Sequence, residues 1–187
     1  QTYNGGLDTS DVGGTVTLNG TIATSDDGIT LGAITLGSNV TIDTNATNTS
    51  SGDITIDAVT GGNNTLTLTT ENNIANANVT VSGNISGETT LTLASVGGSA
   101  LLNADVDVTT LSVNDSVAIF RMFGSGSTVT NAVSFANDGE LQLGDNANDS
   151  ITFNGGLTTT SVGGTVTLGG TIATSNDAIV LGAVTLI

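Results

Sequence analysis

The stretch YNGGLDTSDVGGTVTLNGTIATSDDGITLGAITL at residues 3–36 returns as FNGGLTTTSVGGTVTLGGTIATSNDAIVLGAVTL at residues 153–186. The two copies are identical at 25 of 34 positions and align without a gap, so matched residues are always 150 positions apart. A tandem repeat with a fixed period is typical of proteins that stack one structural unit on the next. The sequence therefore predicts one continuous repeat architecture over residues 1–187.

A shorter period lies inside the longer one. Tetrads such as TVTL (15–18) and TLTL (65–68 and 90–93) recur about every 25 residues, and six such intervals make up the 150. Each tetrad alternates apolar and polar residues, as a strand with one buried face does. Two further short strands per coil are separated by Gly, Asn, Asp and Ser clusters that favour turns. The pattern predicts an all-β parallel β-solenoid of roughly seven coils, with three short strands per coil and the two copies six coils apart.

Stacking the coils would place equivalent apolar residues above one another. The outward neighbours in the same strands are polar or small, and the chain has no proline, which suits strands that use their N–H groups on both sides. The first strand of each coil then predicts two interior ladders: Val16, Val40, Leu66, Leu91, Val117, Leu141 and Val166, and Leu18, Ile42, Leu68, Leu93, Ile119, Leu143 and Leu168.

The charge of the chain limits its partners. The formal net charge is −16, Arg121 is the only basic residue, and there is no histidine or cysteine. Such a chain lacks the cations that neutralise phosphates, so nucleic acid and anionic membranes are not expected partners. No apolar run has the roughly 20 residues that a membrane-spanning helix needs. The chain starts at Gln1 without a signal sequence, as a mature product or an internal fragment would.

The two ends of the chain look like ordinary coils. Neither 1–14 nor 165–187 resembles a helix or a polar cap that would cover the last strand edges. An uncovered strand edge is a template for another strand. The expected partner is therefore another copy of the chain, by head-to-tail coil stacking, or further coils of a longer chain.

The NGG and VGGTVTL motifs, the coils and the long tandem period resemble the filamentous-haemagglutinin-like adhesins, large β-strand-repeat exoproteins of bacteria. The resemblance implies a right-handed parallel β-helix that is secreted to the bacterial cell surface. It also implies work as an extracellular fibre, an adhesin or a biofilm-matrix element, with cell-surface or matrix glycans as partners. The secretion domain and the receptor-binding domain of the family are not visible here, which suits a shaft segment. We expect a structural and adhesive protein, not an enzyme, that requires no cofactor.

Parallel β-helices also include polysaccharide lyases and hydrolases. A lyase base would be Lys or Arg, and Arg121 is the only candidate. A hydrolase needs paired carboxylates, for which Asp105 and Asp107 are candidates, but neighbouring coils carry Asn or Thr at the matching positions. A solvated outward face is the simpler interpretation. Tandem β-sandwiches, a rival fold, predict repeats near 100 residues and some proline, and the sequence has neither.

A solenoid that binds calcium, ice or glycans is the alternative function. Outward Thr pairs at 15/17, 65/67, 90/92 and 165/167 resemble the array of ice-binding solenoids, although Asn39 and Glu140 interrupt it. The turn at 144–149 resembles the Gly/Asp/Asn repeat of calcium-bound β-rolls, since a hard cation prefers oxygen ligands; a plain polar corner is the competing interpretation. The candidate Ca²⁺ ligands are Asp145, Asn146, Asn148 and Asp149.

The coil at 115–139 departs from the composition around it. It contains Arg121, the only Met and three of the four Phe residues. One interpretation is a wider corner packed with larger side chains. The other is a lateral contact, in which an apolar side chain is buried against a neighbour while Arg121 pairs with a carboxylate. The candidate interface residues are Phe120, Arg121, Met122 and Phe123.

Overall fold

A computed structural model describes residues 1–47, 50–71 and 76–187. In these ranges the chain is all-β, contains no helix, and pairs its strands in parallel. The strands are β1 (Thr2–Tyr3), β2 (Leu7–Asp8), β3 (Val16–Thr24), β4 (Ile29–Leu31), β5 (Ile34–Asp43), β6 (Ile54–Ile56), β7 (Val59–Thr60), β8 (Thr65–Glu71), β9 (Val79–Val81), β10 (Ile85–Leu102), β11 (Val106–Val113), β12 (Val117–Met122), β13 (Ser127–Val129), β14 (Val133–Ser134), β15 (Leu141–Leu143), β16 (Ser150–Phe153), β17 (Leu157–Thr158), β18 (Val166–Leu168), β19 (Thr171–Ala173), β20 (Ile179–Val180) and β21 (Val184–Leu186).

One ladder of paired residues runs through nearly the whole chain. It begins where Leu7 pairs with Ile29 and ends where Val166 pairs with Val184. Each pairing joins one turn to the next, so the molecule is a solenoid of about nine turns. The members of this ladder are Leu7, Ile29, Ile54, Val79, Ala100, Phe120, Leu141, Val166 and Val184.

The strands lie on three faces, because two other strand positions follow each member of this ladder before the chain returns to it. The first face contains the ladder that begins at Leu7. The third face includes the small sheet formed by β14, β17 and β20. The second face begins with Val16, Ile34, Val59, Ile85 and Val106, and the third includes Gly20, Val40, Leu66, Leu91 and Leu111.

The predicted parallel β-solenoid is confirmed, but its turns are shorter and more numerous than the 25-residue period indicates. Partners are 18 positions apart at Val16 and Ile34 and 26 apart at Val40 and Leu66. The predicted stacking of Val16 under Val40 is therefore wrong. All three faces carry the same apolar–Thr–apolar pattern, so tetrads from different faces look equivalent in the sequence.

The predicted ladders are correct in their middle and near their end. Val40, Leu66 and Leu91 stack as predicted, and so do Leu141 and Val166. The second ladder is likewise correct from Ile42 to Leu93 and from Leu143 to Leu168. The remaining links are replaced by Leu18 with Leu36, Leu91 with Leu111, Leu93 with Val113, Val117 with Val96, Ile119 with Ser99, Phe120 with Leu141, and Met122 with Leu143.

The two copies of the duplicated stretch have the same local register but lie on different faces. Leu7 pairs with Ile29 and Leu157 with Ile179, each 22 residues further on. Yet β2, with Leu7, belongs to the large sheet, whereas β17, with Leu157, belongs to the sheet of three strands. Val166 instead belongs to the ladder that begins at Leu7. The offset of 150 is thus not a whole number of turns, and this corrects the predicted separation of six coils: the second copy is displaced by one face.

The buried hydrophobic cluster is aliphatic before residue 115, and aromatic side chains join it in the turns after that. There, Phe120 stacks on Phe135 with ring centroids 5.5 Å apart, and Phe135 meets the edge of Phe153 at 6.1 Å. All three rings have no exposed surface. Aromatic pairs in these geometries attract each other beyond the burial of their area. This aromatic column therefore joins the aliphatic ladders in the core of these turns.

Glycine is required at the corner occupied by Gly144. Its φ is 76°, and a Cβ there would collide with the carbonyl oxygen of Gly169. Gly20 has a similar φ of 68°, but nothing lies within 4 Å of its Cβ position. We expect Gly20→Ala to cost about 1–2 kcal/mol from the left-handed backbone alone. Gly144→Ala should cost about 1–3 kcal/mol more because of overpacking. Urea unfolding measures the stability of both variants. An equal loss of stability in the two would contradict the role of the contact with Gly169.

Candidate functional site

The last turn of the solenoid leaves apolar side chains uncovered. Leu186 is 75% exposed, whereas Leu36, its equivalent in the first copy, is 2% exposed. The local sequences are nearly the same; the difference arises because the next turn covers the first copy, where Ile34 pairs with Val59. A cleft of about 330 Å³ opens among these side chains. We call this set the C-terminal edge: Ile179, Val180, Leu181, Val184, Leu186 and Ile187.

The first turn presents a similar opening at the other end. A cleft of about 420 Å³ lies there, lined by Tyr3, Leu18 and Ile22 and by polar groups that include Asn19. Tyr3, Leu7 and Val16 are only half-buried, while their equivalents in the second copy are buried on an underlying turn. We call this set the N-terminal edge: Tyr3, Leu7, Val16, Leu18 and Ile22.

Two of the four predicted interface residues lie inside the core. Phe120 and Met122 have no exposed surface, and Phe120 packs on Phe135. Neither side chain can therefore be buried against a lateral neighbour, and this part of the prediction is wrong. The larger side chains of coil 115–139 fill the interior instead.

Arg121 and Phe123 keep partial exposure. A guanidinium nitrogen of Arg121 lies 3.1 Å from Oε2 of Glu140 on the next turn, and another donates to the Ser99 hydroxyl at 3.4 Å. Both charged side chains are substantially exposed, at 34% and 56%. An ion pair of this kind contributes at most about 1 kcal/mol. Arg121 thus has its carboxylate partner within the chain, and a contact with another molecule stays a prediction for Arg121 and Phe123.

The four predicted calcium ligands meet in one hydrogen-bonded corner. Oδ2 of Asp149 accepts the backbone N–H groups of Asp145 at 2.7 Å and Asn146 at 3.3 Å. The Asn146 side-chain amide donates to Asp145 Oδ1 at 2.6 Å and to Asp149 Oδ1 at 3.2 Å. The backbone N–H of Asn148 donates to Asn146 Oδ1 at 2.9 Å. Asp149 is nearly buried and closes its own turn, which the sequence pattern did not indicate.

An acidic cleft of about 440 Å³ adjoins this corner. Asp105 lines it together with Asp145 and Asp149. One oxygen of Asp105 accepts the backbone N–H of Gly126 at 2.9 Å. Among the residues that the structure describes, no three or more His, Cys, Asp or Glu side chains form a group that could hold a metal ion. Calcium binding at this corner remains a prediction.

The two carboxylates considered for a hydrolase line different clefts. Asp105 belongs to the acidic cleft, whereas Asp107 is exposed and lines a different cleft with Thr128 and Thr130.

The outward Thr pairs do not form one continuous flat array. Thr65 pairs with Thr90, and Thr67 with Thr92, on the third face. The pair at 15/17 belongs to the second face, and the pair at 165/167 to the first, where Thr167 lies between Gln142 and Thr185. The array that the ice-binding interpretation requires is therefore dispersed around the solenoid.

Glu88 is a buried carboxyl that the sequence patterns did not single out. It is 3% exposed, and neither of its oxygens has a hydrogen-bond partner among the described residues. It pairs with Val108 and lies against Gly61, where an added Cβ would be 2.7 Å from the Glu88 carboxyl carbon. Burial raises the pKa of Glu88 to about 8 because the charged form loses its hydration. The one indication in the sequence is an acidic residue between Gly87 and a run of Thr.

The raised pKa of Glu88 predicts a stability that falls with pH. The unfolded carboxyl ionises near pH 4.5 and the folded one near 8. Between these values the unfolded state binds fewer protons, so stability decreases by about 1.4 kcal/mol per pH unit. The protonated Glu88 carboxyl makes its full contribution to stability below pH 4.5, and this contribution is lost above pH 8. Glu88→Gln should remove this slope, which urea unfolding from pH 5 to 9 measures; parallel curves for the two proteins would contradict the assignment.

Taken together, these features define a parallel β-solenoid with polar faces and apolar edges at its first and last turns. In comparisons with known proteins, the chain matches no family model, no curated protein and no solved structure. Within residues 1–47, 50–71 and 76–187, no helix is long and apolar enough to cross a membrane.

Proposed function

We propose that this chain forms the shaft of an extracellular bacterial structural protein, a surface adhesin or biofilm-matrix filament, which lengthens by stacking further coils on its edges. The uncovered C-terminal edge carries the proposal. Leu36 and Leu186 follow nearly the same residues in sequence, and only the copy that another turn covers is buried. Exposed apolar side chains on a strand edge favour association with another strand.

The sides of the solenoid support an end-to-end rather than a lateral association. Their outward positions are mostly Thr, and the molecule carries a formal net charge of −16 with one basic residue. Like charges on adjacent shafts repel over about 8–10 Å at physiological salt. Close lateral packing would therefore need bridging cations, while the side chains that define the two edges carry no charge.

A secreted location, an adhesive role and glycan partners are proposed from the resemblance to filamentous-haemagglutinin-like adhesins. The long axis and the many polar side chains suit a spacer that holds a binding region away from a cell. No chemistry by the shaft itself is required for this role.

Negative-stain imaging and sedimentation of the purified chain test the proposal. Unbranched fibres many turns long are the expected result at micromolar concentration. Discrete rods of single-copy length would contradict the self-assembling filament and would favour the segment of a longer shaft. Globular or irregular particles would contradict both forms of the proposal.

Calcium binding at the acidic corner is the second candidate function. It is favoured by the convergence of Asp145, Asn146 and Asp149 on a cleft that Asp105 also lines. We expect a higher melting temperature in millimolar Ca²⁺ than in EDTA, because a ligand that binds only the folded state stabilises it. Asp145→Asn is the variant to compare, and a Ca²⁺ effect of the same size in that variant would place the cation elsewhere.

A further inference from the structure

We propose that a second copy of this chain seats its N-terminal edge on the C-terminal edge with a rotation of one face. Val16 of the second copy then lies over Val184, and Leu7 of the second copy over Ile179. This inference rests on the proposed end-to-end function and specifies its geometry.

The contact would continue an interface that the chain already makes between its own turns. The ladder of Leu7 joins turn to turn as far as Val184, whose strand pairs on one side only, with β18. At the other end, the Val16 end of β3 pairs only with Ile34 above it. Each edge thus offers a row of backbone groups and inward apolar side chains in the arrangement used throughout the interior.

The duplicated stretch shows how each edge is covered when a neighbour is present. In the first copy, the strand of Ile29 is covered by Ile54, and Ile29 is buried; its equivalent Ile179 is 41% exposed. In the second copy, Val166 lies on Leu141 and is buried; its equivalent Val16 is half-buried. Both edges therefore have a nearly identical, covered counterpart within the same chain.

The step of the coil selects one of the three rotations. A solenoid edge is not flat, because the chain climbs by one turn as it passes the three faces. The last turn climbs from Ile172 on the second face, through Ile179 on the third, to Val184 on the first. The first turn climbs in the order Tyr3, Leu7, Val16. The two steps match only when the second copy's Tyr3 lies near Ile172, since either other rotation leaves a strand position empty or places two strands at the same position.

This register repeats a displacement that the chain already contains. The stretch at 153–186 is moved by one face relative to 3–36, with Leu7 on the first face and Leu157 on the third. In the stacked pair, Leu7 of the second copy also falls on the third face and extends the ladder of Leu157 and Ile179. The N-terminal coil thus meets surroundings like those of its internal counterpart.

The side chains at the two edges are complementary in the same register. Leu18 of the second copy lies over Leu186, as Leu36 lies over Leu18 within one chain. Leu186 and Ile187 then fill the cleft beside Leu18 and Ile22 of the second copy. Copies would follow at roughly eight and two-thirds turns, or about 42 Å at about 4.8 Å per turn, each rotated by about 120° before any twist of the coil.

Cysteine pairs test the register directly, because the chain has no cysteine of its own. Thr17 is exposed at the first turn, and outward residues of the last turn provide one partner for each rotation. In the proposed stack, the Thr17→Cys, Thr185→Cys variant places the Cα atoms of its two cysteines about 4.8 Å apart on adjacent strands, within the Cα–Cα range of a disulfide. Two control variants report the other two rotations: Thr17→Cys with Ala173→Cys, and Thr17→Cys with Val180→Cys.

We expect mild oxidation to link copies of the Thr17/Thr185 variant at least about tenfold more than either control pair. Unfolding curves under reducing conditions establish that all three variants fold like the unmodified chain. Preferential linkage of a control pair would overturn the register and leave the end-to-end function standing. Fibres of the unmodified chain without linkage in any pair would likewise overturn the inference alone. If the unmodified chain itself formed no fibres, the proposed self-assembly would be contradicted instead.

Discussion

Replacing Leu186 with glutamate is expected to weaken end-to-end association at least about tenfold while leaving the stability of a single copy nearly unchanged. Leu186 is 75% exposed in the single chain, so the substitution removes little packing there. In a stack the same position is covered, and burying an unpaired carboxylate against Leu18 and Ile22 would cost several kcal/mol. Sedimentation velocity over a range of concentrations measures the change.

Thr60→Glu is the matched control for this prediction. Thr60 is exposed on β7 in the middle of the shaft, so its replacement adds the same charge away from both edges. Association of this variant should remain close to that of the unmodified chain. An equal loss in both variants would attribute the effect to net charge rather than to the C-terminal edge.

Phe135→Ala is expected to lower the free energy of unfolding by about 3–5 kcal/mol. Phe135 is fully buried between Phe120 and Phe153, and its ring contacts both. The turns above and below are held by the surrounding ladders, so the cavity cannot collapse readily. Urea unfolding followed by circular dichroism provides the measurement.

The neighbouring residue supplies the control. Ser134, the last residue of β14, is exposed, so Ser134→Ala should change stability by no more than about 0.5 kcal/mol. If Phe135→Ala also changed stability this little, the aromatic column would not be a main part of the core of these turns.

The alternation of apolar and polar residues predicted which side chains face inward in most strands, but it failed at Ile119, which is partly exposed while Phe120 is buried. Leu66, Leu91 and Leu141 are all buried, although only some of their predicted partners are correct. Alternation specifies a side of the strand and not a face of the solenoid. Because Thr-flanked tetrads occur on all three faces, equal spacing in sequence linked Val16 to Val40, which lie on different faces. Corner length varies from turn to turn, and no residue pattern reports it.

The candidate sites were predictable to a lesser degree. The corner at Asp145 and Asp149 was visible because its residues are neighbours in sequence, but the capping role of Asp149 depends on the fold of the turn. Phe120 and Met122 were assigned to a surface because their composition differs from the surrounding coils, whereas the interior of this turn has room for larger side chains. Glu88 was missed because an isolated acidic residue is usually solvated, and its burial arises from the adjacent corner at Gly61.

The displacement of the duplicated stretch by one face affects how a shaft of this kind would look to its surroundings. A period equal to whole turns would align every recurrence of a side chain in a single longitudinal stripe, leaving the other two sides different. A period that shifts by one face distributes recurrences around the axis, so three successive recurrences point in three directions. A shaft built in this way would present its recurring side chains to partners approaching from any side, and would resist bending about equally in every direction.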